Sequence, residues 1–209
     1  MVTKPRDYDT AASYDSDFAK LPPGGYICEI YKMEETVIAN GSQIVTVYYD
    51  IAEGEYEGYF AARYRRDKRA EQLPGKAKWQ GRYILFPYTR DGLTNPVFKG
   101  LLTCVEMSNN GFHLVWPLNL DDFRNKKVGL LFREEEIIWD GKVITTIRPC
   151  GARSVSHIAC GAFSVPGKHR LSEERKREAG IISTVASYNP KQYIREDGFN
   201  EEESIPLPF

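Results

Sequence analysis

The sequence is poor in the residues that build metal centres and disulfide frameworks. Its 209 residues include four cysteines and three histidines. Cys28, Cys104, Cys150 and Cys160 show no CxxC spacing, so they read as free or buried thiols of a reducing, cytoplasmic protein. Cys150, His157, Cys160 and His169 are zinc-ligand types, but their spacing matches no familiar finger. No apolar run approaches the roughly 20 residues of a membrane helix, and the first residues lack the apolar core of a secretory signal. There is no phosphate-binding glycine-lysine loop, no nucleophile elbow and no metalloprotease helix motif. These absences leave no cofactor to expect and point away from the common enzyme classes. Net charge is also scarce, at −1 overall.

The near-neutral total hides a segregation. Residues 196–209 carry five acids and no Lys or Arg; taking those five from the 29 acids leaves 24 against 28 basic groups. A mildly basic body with an acidic end suggests a polyanionic partner and a separate task for the end. At 42% hydrophobic, the chain has enough apolar material for one sizeable core.

Residues 25–66 organise the rest. Residues 26–38 are rich in aromatic and β-branched types and stop at Asn40-Gly41. Residues 43–52 alternate, with Val45, Val47, Tyr49 and Ile51 on one side and Tyr48 on the other. After the acidic, Gly-containing 53–58 segment, residues 59–66 predict a third strand, with Tyr59, Arg63 and Arg65 on its outer face. A helix is expected over 95–108, with Asn95 as N-cap and Pro96 in its first turn. Residues 127–138 read as a fourth strand. Asp140-Gly141 gives a tight hairpin, and 143–149 a fifth strand extending towards 155. The order βββαββ is that of an OB-fold, a mainly β, five-stranded Greek-key barrel. The expected organisation is an arm over 1–20, the barrel over 21–155, a helical extension over 156–180 and a flexible acidic tail over 181–209.

From residue 59 to 90, cations and rings interleave: Arg63, Arg65, Arg66, Lys68, Arg69 and Arg82 with Tyr59, Trp79 and Tyr83. Single-stranded nucleic acid asks for this mixture, with cations along its phosphates and flat rings under its bases. Tyr48 joins the band from the second strand, and Trp139 from the hairpin, where it stacks a base or covers the barrel end. The competing account makes the rings core and the charges a solvated rim. A metal-dependent nuclease would draw on Glu53, Glu55 and Glu57 or on the 134–136 acids, but no basic partner stands at a recognisable nuclease spacing.

The last nine residues, EEESIPLPF, place acids before an apolar terminus, a composition suited to recruitment by a partner pocket. This end resembles the tip of bacterial single-stranded DNA-binding proteins. Glu201, Glu202 and Glu203 match its acids, Ile205 and Pro206 its Ile-Pro, and Phe209 its terminal Phe; Leu207-Pro208 is inserted, and Glu stands for Asp. The body, through LPPGGYICEI, YYDIAEGEYEGYF and KKVGLLFREEEIIWDGKVITTIRP, is similar to OB-fold single-strand-binding proteins of phages and mobile elements, over roughly residues 18–155. The resemblance implies non-enzymatic, sequence-nonspecific single-stranded DNA binding in replication or recombination, with proteins of those processes recruited by the tip. An OB barrel pairs readily through its first strand, so a homo-oligomer is among the expected states. The second reading is a protein-interaction adaptor of such a complex, with incidental DNA contact.

Overall fold

The computed structural model describes residues 2–11, 19–70 and 75–181. The described residues fall into two units, one ending at Leu171 and one beginning at Ser172.

The first unit is built on five antiparallel strands. They are β1 (Gly24–Val37), β2 (Gln43–Ile51), β3 (Arg82–Leu85), β4 (Lys127–Trp139) and β5 (Lys142–Arg153), in the spatial order β3-β2-β1-β4-β5. Two helices interrupt them, α1 (Tyr59–Arg69) and α2 (Pro96–Ser108), followed by a 3-10 turn at Leu120–Phe123 and the short α3 (Val155–Ala159). The sheet is open, with β3 and β5 as its edges.

Alternation sets the inner face. Val45, Val47, Tyr49 and Ile51 of β2 are buried, as are Val128, Leu130 and Phe132 of β4. Phe98, Leu101, Leu102 and Val105 of α2 close over the same core. Each such side chain, fully buried, is worth roughly 1.5–3 kcal/mol. Tyr49, Phe60 and Phe132 meet at the centre with ring centroids 5.4–6.5 Å apart. The expected N-cap of α2 is present: the Asn95 side chain accepts a hydrogen bond from the Val97 amide at 2.9 Å. The β4–β5 hairpin also turns at Asp140-Gly141, both with positive φ.

One expected strand is a helix. Residues 59–66 form the first two turns of α1, and the third strand is Arg82–Leu85 instead. The physical cause is a remote cap. Gly58 precedes α1 in a left-handed conformation and offers no side chain. Asp50, buried at the end of β2, supplies the acceptor: its Oδ1 takes the amides of Ile51 and Phe60 at 2.8 Å, and its Oδ2 that of Ala61 at 2.9 Å. Ala, Arg and Lys then propagate a helix well, and Arg66, Lys68 and Arg69 sit favourably at its negative end. The expected alternation of Tyr59, Arg63 and Arg65 on one strand face is therefore replaced by helical spacing.

The other face of the sheet is half covered. Ile158 of α3, with Phe163, presses on β1 and β4 where both strands have glycine. A Cβ on Gly25 would lie 2.7 Å from the Phe163 ring, and one on Gly129 would enter Ile158. Among the described residues the other half, across β1, β2 and β3, is uncovered and keeps Tyr31, Arg82 and Ile84 exposed.

The second unit contributes α4 (Glu173–Glu178) among the described residues, capped by Ser172, whose hydroxyl accepts the Arg175 amide at 3.3 Å. This helix lies within residues 156–180, read from the sequence as a helical extension.

Candidate functional site

On the uncovered half, register brings three side chains into one row. Lys32 of β1 pairs with Tyr48 of β2, and Tyr48 with Arg82 of β3. The Lys32 ammonium lies 5.0 Å from the Tyr48 ring centroid. Glu34, two residues on, holds Lys32 in an ion pair and raises its pKa. Burial, with the hydrogen bond to Glu34, pushes the Tyr48 phenol up.

A β-bulge sits between Ile30 and Lys32. The extra residue it accommodates, Tyr31, is 42% exposed. Its ring lies 5.5 Å from that of Trp79, and Trp79 lies 5.9 Å from Tyr64 of α1. The indole is fixed in place, because its Nε1–H donates to the carbonyls of Gly81 at 2.9 Å and Tyr49 at 3.2 Å. Gly81 makes this approach possible: a Cβ there would run into the Tyr49 carbonyl oxygen and come within 2.8 Å of the indole nitrogen. Lys68 stands 5.8 Å from the Tyr64 centroid. Arg65 is near enough to Tyr31 to oppose the rise in its pKa caused chiefly by burial. Beyond Arg82 the outward positions continue as Ile84, Phe86 and Tyr88, 46–52% exposed, between buried Tyr83 and Leu85.

No family model and no curated protein matches the chain. The site is therefore read from its own geometry.

Of the residues singled out from the sequence, Tyr48, Arg65, Lys68, Trp79 and Arg82 belong to this face. Tyr83 does not: it is 8% exposed and part of the core, so no base can lie on it. Tyr59 packs on Tyr56 and Phe60, and its hydroxyl accepts the Leu21 amide at 3.2 Å. Arg63 lines a groove elsewhere on α1. Arg66 is held by Asp67 at 2.7 Å, and Arg69 is exposed at the end of the helix. Trp139, 69% exposed, stands at the tip of the β4–β5 hairpin. Sequence reading missed Tyr31 and Lys32, and brought Tyr64 to the outer face only for a strand slipped by one residue. The bulge that turns Tyr31 outward has no local signature, and Tyr64 joins the face only because its segment is helical. Glu201, Glu202, Glu203, Ile205, Pro206 and Phe209 lie outside the described residues.

Of the acidic residues considered for nuclease chemistry, three stand in separate ion pairs. Glu53 pairs with Lys127 at 2.7 Å, Glu136 with Lys168 at 3.2 Å, and Glu135 with Arg133 at 3.9 Å. Among the described residues no group of three or more His, Cys, Asp or Glu could hold a metal ion, and the four cysteines are free. No helix among the described residues is long and apolar enough to cross a membrane.

Proposed function

We propose that the protein binds single-stranded DNA without strong sequence preference, through the uncovered half of its sheet and the adjoining side of α1. The observation that carries this reading is the alternation of ring and cation across three strands and a helix. Tyr31, Trp79, Tyr64 and Tyr48 offer aromatic surface, and Lys32, Arg82, Arg65 and Lys68 stand among them. Cations neutralise phosphates and release counterions, while the rings take bases by stacking, which every base permits.

The OB-fold reading supports this proposal. The order 4-1-2-3 that strands one to four take in the open sheet is the order a Greek key would have. The central β1 pairs with both β2 and β4, and α2 follows β3 in the chain. In such barrels the strand 2–3 face and the neighbouring loops take single strands. Here α1 occupies the connection between β2 and β3 and adds its own cations to that face. We assign the acidic-apolar end, on its sequence alone, to recruitment of replication or recombination proteins.

The test is an anisotropy titration of labelled oligo-dT across a salt series, with duplex DNA as control. Tyr48→Ala and Trp79→Ala are each expected to cost about 1–3 kcal/mol of single-strand affinity. The slope of log affinity against log salt is expected to be negative, at about −0.7 per phosphate neutralised. Wild-type protein that binds no oligo-dT even at low salt would refute the reading. A pull-down with the 201–209 peptide would then address the adaptor role.

A further inference from the structure

A groove of about 510 Å³ opens on another side of α1, between that helix, the 20–23 segment and β5. Arg63 forms part of its wall. Its Nε is buried and has no hydrogen-bond partner among the described residues. A buried donor that no described residue takes up is available to an acceptor on a ligand. Lys20 and Lys168 flank it, and Thr145 and Thr146 add hydroxyls. Lys168 is steadied by Glu136 at 3.2 Å and by the Thr145 hydroxyl at 3.0 Å. Among the described residues, Glu134 is the carboxylate in the lining. The surroundings therefore offer donors and positive charge to an anion that presents several oxygens. A guanidinium with an open Nε meets such a group through two parallel hydrogen bonds.

The groove and the aromatic face are joined by α1 itself. Successive residues of a helix turn by about 100°. Lys68, Arg65 and Arg69 thus follow one another around the exposed side of α1 from the Tyr64 side, and Arg66, half-buried and paired with Asp67, comes next before Arg63. A phosphodiester chain leaving the rings meets cations all the way across.

We propose that the Arg63 groove is a second phosphodiester-binding tract, reached by a strand that crosses α1 after leaving the stacking face. The proposal rests on the single-strand-binding reading. It adds a polarity of contacts: bases on the sheet, backbone phosphates in the groove. Only a strand long enough to span both contacts Arg63.

The experiment compares oligo-dT of about 6 and about 16 nucleotides, within the range of site sizes known for single barrels. The full chain is titrated as wild type, Arg63→Gln, Arg63→Lys and Tyr48→Ala. Arg63→Gln is expected to weaken binding of the longer strand about tenfold and to leave the shorter one unchanged. Its salt slope on the longer strand should fall by about 0.7. Arg63→Lys, which keeps the charge but not the paired donors, should recover part of the loss and most of the slope. Thermal unfolding of Arg63→Gln should stay close to wild type, because the Gln amide nitrogen takes the place of the Arg63 Nε. Equal affinity of Arg63→Gln and wild type for the longer strand overturns the tract, as does an equal loss on both lengths. Tyr48→Ala separates the two readings. If it weakens both lengths while Arg63→Gln weakens neither, the face stands and the groove falls. If wild type binds neither length, the single-strand reading itself has failed.

Discussion

Gly81 is the smallest residue at the site and controls its largest ring. With no Cβ, the chain passes close enough to β2 for the Trp79 indole to donate to two carbonyls at once. Gly81→Ala forces that contact apart, at an expected cost of about 1–3 kcal/mol as for other overpacked sites. Because Trp116 and Trp139 are already exposed, the change in intrinsic fluorescence should report Trp79: a red shift in the native protein, with an earlier urea midpoint. Native fluorescence and stability both unchanged would show that the indole is held by something other than this approach.

Among the elements, α1 depends on a residue outside itself. Its first turn has no acid and its N-cap is a glycine, and among the described residues Asp50 provides the side-chain capping. Burial raises the Asp50 carboxyl above its ordinary value, while the three amides and Arg65 pull it down. Asp50→Ala strands three amide donors, two of them at the helix start. We expect a loss of at least about 2 kcal/mol, with reduced helical circular dichroism and weaker oligo-dT binding, because Tyr64, Arg65 and Lys68 lose their support. Full retention of helix content would refute the remote cap. The same dependence explains why this helix was not legible locally. The signals that mark α2, Asn95 and Pro96, lie beside it in the chain, whereas the cap of α1 comes from the preceding strand and becomes available only once β2 is placed.

At the scale of the whole molecule, the sheet buries phenols that the unfolded chain would expose. Burial is the main cause that pushes Tyr26 and Tyr83 from the usual 10.0 to about 12, with Tyr56 adding to it at Tyr26 and Cys150 at Tyr83. An acid whose folded pKa is raised contributes stability that is complete below its unfolded value and disappears as pH rises through the folded value. The contribution of these two phenols should therefore be complete up to about pH 10 and be lost steadily between about 10 and 12. Urea midpoints measured across that window test this; a flat profile would mean that these phenols ionise as freely in the folded protein as in the unfolded one. The strand pairing that buries Tyr83 also settles its role. In sequence it sits among cations and reads as a stacking ring, but pairing with Val47 on β2 turns it inward. Arg82, next to it, faces out by the same register.

Period-2 alternation in β2, the Asn-Pro start of α2 and the Asp-Gly hairpin each depend on neighbours a few residues apart, so the sequence alone determined those elements, the mainly β class and the basic-aromatic composition of residues 59–90. The helical state of 59–69, the outward turn of Tyr31 at its bulge, the inward turn of Tyr83 and the meeting of Tyr31, Trp79 and Tyr64 were decided only by tertiary structure. Each depends on contacts between segments far apart in the chain, such as the Asp50 carboxylate on α1, strand register and the Gly81 approach, and local propensity carries no information about these.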